Sequence, residues 1–162
     1  IARISLMGGG IATGNWTPAA EFNILVDPEA ARIVFTSGVP ITMAGLDVTE
    51  KALIMPEDFE RVRALGNPVS DIVAQWLEFF YAGAPMHDPC AVMALIHPEI
   101  FTIRPMYVQI ETAGEYCRGT TVGDLLGFSG HAPNADVLMD VDRDRFADLL
   151  VEAIKFYGEA EA

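Results

Sequence analysis

Arg3-Ile4-Ser5-Leu6-Met7-Gly8-Gly9-Gly10 is the stretch on which the reading of this chain turns. Residues 3–7 are mostly apolar and alternate poorly, the pattern of a strand covered on both faces. The glycines at 8, 9, 10 and 14 then predict a loop. Beyond it, Asp27 is placed to cap a helix running to about Ser37. Pro28 falls at its first position and Gly38 closes it. Residues 39–45, Val-Pro-Ile-Thr-Met-Ala-Gly, read as a second buried strand. Strand, loop, helix, strand is a parallel crossover unit. The expected fold is therefore α/β, a mainly parallel, Rossmann-like sheet with helices on both faces.

The rest of the chain extends that plan. Pro56 opens a helix to about Leu65, and Asn67-Pro68 breaks it. Residues 69–81 carry Ile72, Val73, Trp76, Leu77, Phe79 and Phe80, which predicts a largely buried helix. A loop, Ala82-Gly83-Ala84-Pro85-Met86, leads to His87. Asp88 is then placed to cap a helix reaching Ile96, with Pro89 in its first turn. Residues 101–111 and 116–122 suggest a small β-hairpin across Ala113-Gly114-Glu115. A short strand is expected over 136–141. A last helix, capped by Asp142, carries Phe146, Leu149, Leu150, Ile154 and Tyr157 at helical spacing.

The chain has 162 residues, with 10 Lys+Arg against 23 Asp+Glu and a formal charge of -13. That argues against a nucleic-acid partner, which needs basic patches. An uncharged nucleoside is not excluded. The apolar fraction is 51% and the mean hydropathy +0.29. No apolar run approaches the ~20 residues that span a bilayer, so no membrane is expected. The remaining explanation is a core completed by more polypeptide. The opening at Ile1, already inside a strand with no leader pattern, points to the same expectation of an incomplete domain. Cys90 and Cys117 have no metal spacing and read as free thiols of a reducing, cytoplasmic compartment.

Two clusters carry chemistry. His87-Asp88 joins an imidazole, a side chain that can move a proton, to a carboxylate that can take a hard cation or a sugar hydroxyl. Its structural alternative is a helix cap with a surface histidine before it. Far upstream, Asn15, Glu21 and Asn23 are polar groups suited to sugar hydroxyls. If residues 21–23 are extended, Glu21 and Asn23 face one side and Phe22 packs behind. The alternative is a polar loop capping the next helix, which the spacing alone favours. Gly8-Gly9-Gly10 lacks a phosphate-loop pattern. It either lets the backbone approach a ligand or makes a tight turn. His97 and His131 read as structural. Asp136, Asp140, Asp142, Asp144 and Asp148 lack the glycine and terminal glutamate of a calcium loop and read as a solvated face. Tyr81 and Met86 border the His87 loop, where they could touch a base.

Taken together these segments resemble the inosine-uridine preferring nucleoside hydrolases. The matching stretches are Leu-Met-Gly-Gly-Gly at 6–10, Gly14-Asn15, Ala20-Glu21-Phe22-Asn23, Asp27-Pro28-Glu29-Ala30-Ala31, Gly45-Leu46-Asp47-Val48-Thr49 and His87-Asp88-Pro89-Cys90-Ala91. Arg118-Gly119-Thr120-Thr121-Val122 and Val141-Asp142 also fit. The resemblance implies hydrolysis of ribonucleosides to ribose and free base, with Ca²⁺. It makes His87 the acid that protonates the departing base. Asp88 is then a calcium ligand close to the ribose, and Asn15, Glu21 and Asn23 are ribose-hydroxyl contacts. Met7 is the apolar wall of the pocket, and Phe22 counts among the substrate-binding residues. A histidine at 87 fits the inosine-uridine or pyrimidine type. The family's aspartate cluster, Asp-x-Asp-x-x-x-Asp-Asp, is absent from this sequence. The expectation is that 1–162 is the C-terminal portion of a hydrolase domain, the later part of its sheet, with an incomplete calcium site. A homo-oligomer is expected. The alternatives are an inactive fragment, a ribose- or calcium-binding module, and an unrelated doubly wound protein.

Overall fold

A computed structural model describes residues 1–80 and 83–160. In chain order the strands are β1 (Ile4–Met7), β2 (Ile41–Ala44), β3 (Leu53–Ile54), β4 (Ala84–Pro85), β5 (Phe101–Met106), β6 (Val108–Ile110), β7 (Thr121–Gly123) and β8 (Ala135–Val141). The helices are α1 (Phe22–Val26), α2 (Pro28–Phe35), α3 (Leu46–Thr49), α4 (Pro56–Arg63), α5 (Pro68–Phe80), α6 (His87–Ile96) and α7 (Arg143–Ala160).

The main sheet has the order β1-β2-β8-β5. β1 runs parallel to β2 with Ile4 opposite Ile41, and β2 parallel to β8 with Ile41 opposite Ala135. The predicted crossover from β1 through α2 to β2 is present. Asp27 caps α2 by accepting from the Ala30 amide at 2.9 Å, and Gly38 takes the positive φ of 77° that ends the turn.

Alternation along the strands makes two cores. Ile4 and Leu6, Ile41 and Met43, Ala135 and Val137 face Ile24 of α1 and Phe35 of α2. Met7, Ala44 and Leu138 face the opposite way, against Cys90 and Ala91 of α6 and Phe146 of α7. Helices thus cover both faces. β2 is buried at every position, while β1 at the sheet edge is half-buried throughout. The Ile4 and Gly8 amides donate to Pro40 and Ala44 across β2, so by the two-residue period those of Ser5 and Met7 point to the open side. At the other edge, β5 carries Arg104 and Pro105, with a register irregularity between Thr102 and Ile103.

Three expectations are corrected. Residues 101–111 are not one arm of a hairpin. Phe101–Met106 pairs antiparallel with β8 inside the main sheet, and only Val108–Ile110 pairs with Thr121–Gly123. The break comes at Tyr107, where the chain leaves one sheet for the other. The helix over Pro68–Phe80 is not largely buried. Ala74 and Leu77 are covered, but Trp76 is 66% and Phe79 87% exposed, and Ile72 is exposed as well. An apolar period shows which face could be covered, not what covers it. Asp88 is not the cap of α6. That helix begins two residues earlier than expected, at His87, with Met86 before it and Asp88 in the first turn. The cap of α7 is as expected, Asp142 accepting from Arg145 at 3.0 Å.

Candidate active site

Parallel strands gather their following loops at one rim, the usual place for ligands in open α/β sheets. Here the rim is made by Gly8–Gly10 after β1, Gly45-Leu46 after β2, and the start of α6. The glycine loop is held from three sides. Gly9 donates to Glu21 Oε2 at 2.8 Å. Gly10 donates to Thr121 Oγ1 at 2.8 Å, and the same hydroxyl donates back to the Gly10 carbonyl at 2.8 Å. Ile11 and Ala12 donate to the two oxygens of Asp47 at 2.7 and 3.0 Å. Gly9 has a φ of 76°, and a Cβ there would lie 2.5 Å from the Thr121 methyl. Gly9 is therefore required by the tight packing of the loop.

Glu21 is only 2% exposed. Its carboxylate also accepts from Asn23 at 2.8 Å and Ile24 at 3.2 Å, so it caps α1 while it grips Gly9. This corrects the extended reading of residues 21–23: Phe22 opens a helix, and Glu21 and Asn23 do not share one face of a strand. Asn15 Oδ1 accepts from the Phe22 amide at 3.0 Å and supports the same helix start. Phe22 packs against Trp16 in a tilted contact with ring centroids 4.9 Å apart. Asn23 is exposed, and its Nδ2 reaches the Met7 carbonyl at 3.4 Å and lies 3.2 Å from Met7 Sδ. Met7, Asn15, Glu21, Phe22 and Asn23 therefore come together, but Glu21 does so as scaffold.

His87 stands at the neighbouring part of the rim. β3 and β4 pair, and Met86 donates to the Ala52 carbonyl at 2.9 Å, which sets the start of α6. Ser5 Oγ donates to the Ala91 carbonyl at 2.6 Å and ties α6 across β1. His87 Nδ1 lies 2.9 Å from Thr49 Oγ1 at the end of α3. Behind it opens an apolar cavity of about 340 Å³ lined by Phe59, Val73, Trp76, Leu77 and Met86, with His87 and Asp88 as its ionisable members. Asp88 is exposed in the first turn of α6, where the helix dipole favours an anion. The suggested base contact by Tyr81 falls outside the described residues, whereas Met86 does line the cavity.

Calcium needs six to eight oxygens. Among the described residues no three His, Cys, Asp or Glu side chains come close enough to hold a metal. Glu21 and Asp47 are engaged by backbone amides, which leaves Asp88 as a lone carboxylate. These residues do not by themselves fit the ion. The C-terminal aspartates are each engaged elsewhere: Asp136 with Arg3, Asp140 with Lys51, Asp144 with Arg143 and Asp148 with Arg61. His97 pairs with Glu99, and His131 packs on Tyr107. Cys90 and Cys117 are free thiols. Burial pushes Cys90 up to about 12.

Residues 1–148 match the sequence family described as inosine-uridine preferring nucleoside hydrolase. The chain belongs to this family. Similar relatives include the pyrimidine-specific ribonucleoside hydrolase RihA of Escherichia fergusonii, 57% identical over 98% of this chain and 54% of its own length. The protein of the same name from Salmonella schwarzengrund is 56% identical over the same shares. Among solved structures, a purine-preferring ribonucleoside hydrolase from Gardnerella vaginalis superposes with a TM-score of 0.87 at 31% identity, covering 98% of this chain and 53% of that one. The plant nucleoside hydrolase PpNRh1 gives 0.81 at 29% identity, over 94% and 53%. The chain spans about half the length of the curated relatives it matches. These likenesses support the family and the mixed α/β fold, not the expected assignment to the family's C-terminal half. No helix among the described residues is long and apolar enough to cross a membrane.

Sequence reasoning missed three members of this rim. Asp47 and Thr49 lie in the stretch Gly45–Thr49 that carries part of the resemblance, and its polar side chains were the available signal. Thr121 lies in Arg118–Val122, another of the resembling stretches, but is separated from Gly10 by 111 residues.

Proposed function

We propose that this chain supplies part of the active site of a ribonucleoside hydrolase, which cleaves the N-glycosidic bond of pyrimidine or inosine-type ribonucleosides to ribose and free base. The observation that carries this reading is the placement of His87, held by Thr49 at the carboxyl-end rim beside an apolar cavity sized for a base. Family membership and the names of the 57% identical relatives support it.

In this reading the ribose lies against Met7 and Asn23, and Asp88 meets its hydroxyls. Asn15 and Glu21 hold α1, and through it Asn23, in place. Breaking the bond develops positive charge on the ribose ring, which anionic and amide oxygens stabilise. Water adds to the ribose carbon and gives up a proton, while the base leaves with the bonding electron pair and takes a proton from His87, a transfer that contributes ~10²–10⁴-fold to the rate. Calcium supplies no step here, because the donor set of this chain does not fit it. The chain spans about half the length of its relatives, and the remaining part completes the catalyst. The free thiols suit a reducing cytoplasm, and the open β1 edge suits a homo-oligomer.

The test is a graft. These residues replace the matched 168 residues of Escherichia fergusonii RihA, and release of ribose from uridine is followed. Turnover that falls ~10²-fold with His87→Ala supports the reading. A folded graft without turnover overturns it. Ribose binding by the isolated chain without turnover would instead mark a binding module.

A further inference from the structure

We infer that Thr49 is a positioning residue that decides which nitrogen of His87 carries the proton. Thr49 is fully buried at the end of α3. Its backbone is satisfied, the amide donating to Gly45 and the carbonyl accepting from Ala52. Its hydroxyl has one partner among the described residues, His87 Nδ1 at 2.9 Å.

A hydroxyl holds one proton and needs an acceptor for it. A buried donor left unmade is costly. If Nδ1–H donated to Thr49, the threonine proton would have nowhere to go. If Thr49 donates, both groups are satisfied. The geometry therefore makes Nδ1 the acceptor, and neutral His87 carries its proton on Nε2. Nε2 makes no hydrogen bond of its own among the described residues, and His87 borders the apolar cavity. Nε2 is thus the nitrogen left to meet a substrate. A threonine serves this purpose because its hydroxyl is donor and acceptor at once, as neither valine nor alanine is.

The functional half of this inference rests on the hydrolase reading, while the structural half does not. Nitrogen-15 NMR on the whole chain, under conditions where the ring is neutral, should show His87 Nδ1 as an unprotonated, hydrogen-bonded nitrogen and Nε2 as the protonated one. Thr49→Val should move Nδ1 to the position of a free, unbonded nitrogen, and Thr49→Ser should restore it. A protonated Nδ1 in the unaltered chain overturns the inference even if the valine variant does not fold, and so does an Nδ1 signal that Thr49→Val leaves unmoved. In the graft described above, Thr49→Val should slow uridine about 10-fold, a part of the general-acid effect. It should spare an activated nitrophenyl riboside that needs no proton, and Thr49→Ser should recover the rate. Equal loss on both substrates overturns the positioning role. An inactive unaltered graft with the expected nitrogen signature would sink the hydrolase reading and leave the Thr49 assignment standing.

Discussion

The two parts of the rim are built to opposite rules. Around Gly8–Ala12, polar side chains are spent on the protein itself: Glu21, Asp47 and Thr121 hold the loop's amides. At His87 and Asp88, one hydrogen bond fixes the imidazole, Asp88 stands exposed, and the neighbouring wall is apolar. A carboxylate saturated by amides is scaffold, and one left open is available for chemistry. Residue type does not distinguish Glu21 from Asp88; their hydrogen-bond partners do.

Gly9→Ala probes the scaffold side hardest. It forces a side chain into a positive φ and onto Thr121, at a cost of about 3–5 kcal/mol. The melting temperature should fall by roughly 10 °C or more; a melting temperature within ~3 °C of the parent would show that the loop is slack. Glu21→Ala leaves the amides of Gly9, Asn23 and Ile24 without their acceptor and should cost about 2–4 kcal/mol by urea unfolding. A loss below ~1 kcal/mol would remove the scaffold role. On the open side the balance reverses. His87→Ala should cost about 1–2 kcal/mol in the same titration, because the buried Thr49 hydroxyl loses its partner, while abolishing most turnover of the graft. Trp76→Ala should be close to neutral for folding, within ~1 kcal/mol, because its ring is mostly exposed. A large loss there would mean that α5 is covered in solution. The smallest effect is chemical. Cys90 lies buried in the first turn of α6 with its thiol held well above the usual range, so a thiol reagent should label Cys117 alone in the native protein and both after unfolding.

What the sequence could show divides along the same line. The crossover from β1 to β2 was legible because its signals are local: Asp27 and Pro28 start α2, and Gly38 ends it. Asn15, Glu21 and Asn23 were legible as a set only through the resemblance to the nucleoside hydrolases. The role of Glu21 was not, because an acidic residue before a short helix reads equally well as cap or ligand until the Gly9 amide is seen against it. Contacts that join Thr121 to Gly10, Thr49 to His87 and β5 to β8 link positions far apart, and no periodicity reports them. The exposure of α5 was misread for a related reason, since amphipathic spacing does not identify a neighbour.

The two margins of the main sheet give it a direction of growth. Arg104, Pro105 and a register slip blunt β5 against further pairing. β1 offers Ser5 and Met7 amides on an edge with neither charge nor proline between Ile4 and Met7. A strand added there in the parallel sense would end beside Gly8. Its following loop would then arrive at the same rim as Met7 and Asn23, so each strand that lengthens this sheet also deepens the pocket.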